Sequence, residues 1–465
     1  MQPLVILNTV GLTSRLLPLA PRLHALAQAG WAKPMREALP AVTCTAQASM
    51  LTGKSPQEHG IVGNGWLYRD TREVRFWQQS NRLIEAEPVY ATLRAHGHSV
   101  AKLFWWFNQG ADVNLAVTPK PYYGADGSKA FGIQSYPDSW AERLTKAIGP
   151  FPFPSFWGPM AGLQCTQWIA RCAAEVLTEW PKPDLTLVYL PHLDYEPQRL
   201  GPQNCDWKKL VGELDAACVP VLDAAKAIGA AVWVVNEYTH VPVDRPIYLN
   251  RLLREMGQLV ARDGPFGEQL ETFASNAFAV CDHPVAHVYV APGYPQDAMR
   301  SLRELLAEHA DIDRVYLGDE RTEIGLNHDR AGDLVALAKP NAWFAYPFWL
   351  DDRRAPDYAR TVDIHRKPGY DPCELFFDPK LLWPKGRAIG KVLLKKLGVR
   401  TLVDVIPLDA QLVRGSHGLR IEDPQDRPVF IGTGSAPESP AIEQTAVRGR
   451  ILEHFGCAFF EPRTK

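Results

Sequence analysis

Residues Leu39 to Trp66 read LPAVTCTAQASMLTGKSPQEHGIVGNGW, and the rest of the chain is interpreted outward from them. An apolar run after Pro40 reaches Thr43. Ala46 to Thr52 then has the composition of a short helix closed by Gly53, a residue that suits the left-handed position at a helix C-terminus. Thr43 is expected just before a helix N-terminus, where unpaired backbone N–H groups and the positive dipole end favour an anion such as phosphate. Asn64, in the turn Gly63-Asn64-Gly65, can offer a neutral amide donor to a phosphoryl oxygen. On composition alone, a capping threonine and a turn asparagine account for the same residues.

The order of parts carries more. Pro40, Thr43, Thr52-Gly53, Pro56, His59-Gly60-Ile61 and Asn64 fall in register with P-x-x-T-x-P-N-H-x-x-x-x-T-G-x-x-P-x-x-H-G-I-x-x-N. The stretch thus resembles the nucleophile segment of the alkaline phosphatase superfamily, in its type I phosphodiesterase/nucleotide pyrophosphatase branch. The P-N-H after the threonine is replaced by Thr45-Ala46-Gln47. The resemblance implies an α/β fold: an alkaline-phosphatase-like three-layer core, a mostly parallel sheet flanked by helices, with a small inserted α+β cap. It also makes Thr43 the nucleophile and Asn64 the amide that contacts phosphate.

At 465 residues the chain exceeds one ordinary core, so an inserted or second unit is expected. Hydrophobic residues at 46% and charged residues at 22% describe a globular protein. A net charge of −2 gives no electrostatic case for a nucleic acid polymer or an anionic membrane. The opening PLVILNTVGL is expected to be a buried strand and not a signal peptide, and no apolar run reaches spanning length. Eight scattered cysteines without a CxxC pair are expected to be reduced, in a cytoplasmic protein.

Strand-like and helical runs alternate, as in a mostly parallel sheet covered by helices. Leu4 to Asn8 is the first strand, and further strands are expected at 99–104, 185–190, 231–235 and 428–432. Helices are expected at 21–29, 89–95, 163–177, 210–228 and 442–455. Trp105, Trp106 and Phe107 follow a strand end, where open α/β sheets bind ligands, so they are candidates to line a substrate pocket. Residues 111–159, rich in Pro, Tyr, Gly and Phe, have little periodicity and are expected to form a long ordered excursion, part of a lid. A βαβ-like unit is expected between 286 and 317. By resemblance, residues 1–259 and 331–465 are the catalytic core and 260–330 the cap. The region 340–410 has no counterpart in the pattern, and its basic run is expected to be a solvated helix face.

The resemblance implies two divalent metals, usually zinc, one activating the threonine and the other clamping the phosphoryl group. One site would keep Asp194 and His417, with Gln198 in place of a histidine. The other would combine Thr43 with Asn8, Glu237 and Tyr238, in place of Asp, Asp and His. Such an oxygen-only set suits Mg²⁺ or Mn²⁺ better than Zn²⁺. His365, in TVDIHRKPGYDP, is the alternative to His417, whereas His192 and the pair Asp282-His283 are expected to be structural. The expected activity is metal-dependent hydrolysis of phosphodiester or pyrophosphate bonds in a small phosphorylated substrate, through a phospho-threonine intermediate. The alternative is a non-catalytic or single-metal descendant that binds a phosphorylated metabolite. Sulfatase chemistry is disfavoured because Thr43-Cys44-Thr45-Ala46-Gln47 lacks the arginine of the C/S-x-P-x-R motif.

Overall fold

The computed structural model describes residues 1–125, 128–180, 182–399 and 401–457. Its centre is the strand Leu4–Asn8, buried at every position. Leu185–Tyr189 and Ala231–Val235 run parallel to it on either side. Three continuous apolar strands of this kind suit a sheet covered on both faces. They belong to a nine-stranded sheet whose order is Ile442–Glu443, Trp31–Arg36, Val429–Gly432, Ala231–Val235, Leu4–Asn8, Leu185–Tyr189, Val100–Leu103, Leu115–Tyr123 and Lys129–Tyr136. Most neighbours are parallel. Val429–Gly432 is antiparallel to both of its neighbours, and the far edge is an antiparallel hairpin.

The helices pack in two groups, as a three-layer α/β core requires. Leu163–Glu179, Trp207–Ala217 and Val219–Ala227 form one group, and Thr43–Thr52, Val89–Ala95 and Ala446–His454 the other.

A second, four-stranded sheet has the order Ala277–Asp282, Val285–Val290, Leu334–Ala338, Ile312–Leu317 and is antiparallel throughout. Helix Gln296–Ala307 packs on its last strand. The expected βαβ-like pairing is therefore corrected. Val285–Val290 and Ile312–Leu317 are not neighbours, because Leu334–Ala338 lies between them. That strand, beyond residue 330, shares this sheet and its own hydrophobic cluster, which also takes in Ile61, Val62, Trp66 and Phe76.

Other expectations shift locally. Within the excursion expected over 111–159, Leu115–Tyr123 and Lys129–Tyr136 pair as a hairpin that extends the main sheet. The helix expected over 210–228 is two helices, broken where Pro220 enters the second near its start. The last helix begins at Ala446, after a short strand, Ile442–Glu443.

Two further pairings set up the site. Val241–Ile247 runs parallel to Asn341–Phe344 and antiparallel to the two-residue strand Gly415–Ser416. Asn8 ends a central strand, and Asp194 and Glu237 come just after the C-terminal ends of two others, the edge at which open α/β sheets place their ligands.

Candidate active site

Thr43 is the first residue of helix Thr43–Thr52, not the residue before it. The cap position falls on Val42, in extended conformation, so the threonine side chain makes no capping bond. Its Oγ1 lies 3.1 Å from the phenol oxygen of Tyr238. The Tyr238 phenol donates to Asp194 Oδ1 at 3.1 Å. With that proton committed, the Thr43 hydroxyl is the donor in the first bond.

Asp194 collects two imidazoles as well. His240 Nε2 is 3.1 Å and His417 Nε2 3.8 Å from its Oδ1. The ligating atoms of these three buried residues lie within 4.8 Å of one another. His417 Nδ1 rests on the carbonyl of Ala41 at 2.9 Å, which turns the Nε2 lone pair toward Asp194. Burial pushes the His417 imidazole well below its usual value and so keeps it neutral, the form that ligates a metal. Burial alone would raise the Asp194 carboxyl. The hydrogen bond and charge of His240, with His417, outweigh that and hold it below the usual range. One carboxylate and two imidazoles with a fourth position open fit a divalent ion such as Zn²⁺.

His240 was absent from the expected ligands. It lies two residues past the position where the pattern has its Asp-His pair. Strand register supplies the contact: Val241 pairs with Ser416, so the next step outward sets His240 opposite His417. Gln198 is hydrogen-bonded at both ends of its amide. Its Nε2 donates to the Asp194 carbonyl at 3.1 Å and its Oε1 accepts from the Tyr370 phenol at 2.8 Å. His365 sits against the Phe76 carbonyl at 3.3 Å, outside the cluster of Asp194, His240 and His417.

The second expected set is hydrogen-bonded within the chain on one side, while Asn8 Oδ1 and Glu237 Oε2 are buried without a partner among the described residues. Glu237 Oε1 accepts from Asn8 Nδ2 and from Gln47 Nε2, each at 2.6 Å. Asn8 thus turns its amide nitrogen, not its oxygen, toward the carboxylate. Burial pushes the Glu237 carboxyl up to about 8 despite these two donors. Tyr238 is bonded to Thr43 and Asp194, and its ring stacks on His417 with centroids 3.5 Å apart.

Asn64 sits beside the start of the Thr43 helix. Its Oδ1 accepts from the Cys44 backbone N–H at 3.1 Å, and its Nδ2 donates to Asp282 at 3.1 Å, leaving one amide proton uncommitted. Asp282 also accepts from the Asn64 backbone N–H at 2.7 Å. The next residue, His283, lies 3.7 Å from the His417 ring and 4.0 Å from Tyr370. This turn of the second sheet therefore supports the site from behind.

Trp105 is wholly buried in the main core, and Trp106 and Phe107 are buried in the second cluster. Their loop is tied in by Lys102, whose Nζ donates to the carbonyls of Trp106 and Phe107, and by Gln47, whose Oε1 accepts from the Trp106 N–H at 2.7 Å. Gln47, unnoticed as a site residue in the sequence, thereby links this loop to Glu237.

Solved structures share the fold at low identity. Murine ectonucleotide pyrophosphatase/phosphodiesterase 5, as an inactive threonine-to-alanine variant in complex with AMP, matches at TM-score 0.59 and 14% identity, covering 100% of this chain and 98% of that one. Phosphonoacetate hydrolase from Sinorhizobium meliloti 1021, in complex with phosphonoformate, matches at TM-score 0.58 and 16% identity, covering 96% and 94%. The human ectonucleotide pyrophosphatase/phosphodiesterase 5 matches at TM-score 0.58 and 13% identity, covering 100% and 97%. No curated protein matches by sequence. Residues 4–371 match the type I phosphodiesterase/nucleotide pyrophosphatase family over most of the chain, and the protein belongs to that family of phosphoric ester hydrolases.

Proposed function

We propose that the protein hydrolyses phosphodiester or pyrophosphate bonds with Thr43 as nucleophile, supported by one divalent ion held by Asp194, His240 and His417. The observation that carries this reading is the line of contacts from the Thr43 hydroxyl through the Tyr238 phenol to the carboxylate of that triad. A bound ion would supply positive charge for a phosphoryl oxygen.

The chain's own residues do the rest. Thr43 points its proton at Tyr238, which leaves its lone pairs free for attack on phosphorus. The bond from Thr43 Oγ1 to phosphorus forms as the bond to the leaving oxygen breaks, the hydroxyl proton departing with the leaving alcohol or phosphate; water then cleaves the phospho-threonine and returns a proton to Oγ1. Burial pushes the Tyr238 phenol well above its usual value, so it orients the nucleophile as a neutral group. The free amide proton of Asn64 and the N-terminal end of helix Thr43–Thr52 face the charge that develops on phosphoryl oxygens. The hydrogen-bonded cluster of Asn8, Gln47 and Glu237 stands where the resemblance would put a second ion. The AMP in the murine relative makes a nucleotide ester the first natural substrate to try.

The test is elemental analysis of the purified protein alongside turnover of bis(p-nitrophenyl) phosphate with Zn²⁺, Mn²⁺ and Mg²⁺. The expected result is one ion per chain and turnover that falls about a thousandfold or more in Thr43→Ala. Full activity in Thr43→Ala would overturn the nucleophile. Absence of both ion and turnover under every condition would move the reading to a non-catalytic binder of phosphorylated metabolites.

A further inference from the structure

Helix Pro384–Lys396 turns its apolar side away from the protein. Its half-buried positions are Pro384, Ala388 and Lys391. The opposite stripe, at four-residue spacing, is Ile389, Leu393 and Leu397, exposed by 62%, 54% and 79%. Just ahead of the helix, Leu382 and Trp383 are exposed by 92% and 85%. Arg387 and Lys391 bond to Asp404, and on the inward face Ala388 packs against a small apolar cluster of the body. An amphipathic surface helix ordinarily turns its larger apolar side inward, and a contiguous apolar stripe of this size marks an interaction surface.

Charge narrows the partner. Between Asp378 and Asp404 there is no acidic residue, while Lys380, Lys385, Arg387, Lys391, Lys395, Lys396 and Arg400 fall there, in a chain whose net charge is −2. A symmetric pairing with a second copy of the chain would bring two such basic segments together, which repels. A surface that is apolar below and anionic above suits both features.

We propose that this helix is a peripheral anchor that lies in the headgroup layer of an anionic lipid bilayer. Ile389, Leu393 and Leu397 enter the acyl boundary with Leu382. Trp383 sits at the interface, where amphipathic aromatic rings collect. Lys385 and Lys395, exposed on the same helix, meet lipid phosphates, which attract basic residues near an anionic surface. At 13 residues the helix lies on the membrane and does not cross it. No helix among the described residues is long and apolar enough to span one.

The experiment is flotation of the full-length protein with phosphatidylcholine vesicles, with and without phosphatidylglycerol. Binding to the anionic vesicles alone is expected, weakening as salt is raised, because the attraction acts over a Debye length. The double variant Leu393→Glu, Leu397→Glu should lower the partition coefficient about tenfold or more. Both residues face solvent, so its melting temperature should match that of the wild type. Trp383→Phe should remove a blue shift in tryptophan emission that appears on vesicle binding. No flotation at low salt, or equal flotation on neutral vesicles, would overturn the proposal. So would a concentration-dependent dimer in sedimentation that the double variant abolishes.

Discussion

Tyr238 stands where the family resemblance expects a metal-ligating histidine, and its phenol links Thr43 to Asp194. Tyr238→Phe removes both bonds but keeps the ring stacked on His417. Its expected effect is a fall in kcat of about ten- to a hundredfold with ion content unchanged. Ion content that fell in parallel would show the tyrosine to be part of the metal site. Tyr238→His combined with Asn8→Asp should raise the ion stoichiometry from one toward two, because it restores a nitrogen donor and a charge. Thr43, Asn64 and Asp194 were proposed from short motifs, and His417 from the order of the strand and helix that follow it. His240 was not. Nothing within a few residues marks it as a ligand, and only the pairing of two distant strands sets it opposite His417.

That pairing is an element of two residues, Gly415–Ser416, laid against Val241–Pro242. Gly415 is required there, because a Cβ would stand 2.1 Å from the carbonyl oxygen of Pro197. Both are backbone sites that cannot yield independently. Gly415→Val is expected to shift the ladder and weaken ion binding about tenfold or more, with the circular dichroism of the core retained. Titration of the purified variant with Zn²⁺ checks it, and unchanged affinity would show that the ladder does not set the two imidazoles. The same scale explains which elements hid in the sequence. Pro119 and Pro121 mask the strand Leu115–Tyr123, because proline argues against a strand that must donate along its length. The apolar-outward helix at 384–396 was expected to be a solvated basic face, since its lysines are plain in the sequence and the direction of its leucines is not.

Over the whole molecule, fold class was legible because the central strands are continuous apolar runs separated by helical ones. Net charge was the misleading quantity, since a value near zero conceals one strongly basic segment. Burial also leaves a global signature in pH. It pushes the Glu37 carboxyl up to about 8 and that of Asp282 up to about 7. The folded chain keeps these protons where the unfolded chain, with carboxyls near 4, has lost them. Their stabilising contribution is complete below the unfolded value and is lost by the time pH has risen through 7 and 8. Each group adds a downward slope of about 1.4 kcal/mol per pH unit between the unfolded value near 4 and its own folded value, and the slope vanishes above it. Urea denaturation over that range should show a shallower decline for Glu37→Gln than for the wild type. Equal slopes would mean that Glu37 is ionised in the folded protein.

Asp194 and His240 are 46 positions apart in sequence, and His417 comes from much later in the chain. An ion gripped by all three is a covalent-like staple that closes two large loops at once. It should act on the unfolded chain as much as on chemistry, in the way a disulfide does. Ion supply would then govern how long the protein survives as well as how fast it turns over, with about 2.7 kcal/mol of added stability at a free concentration a hundredfold above the dissociation constant.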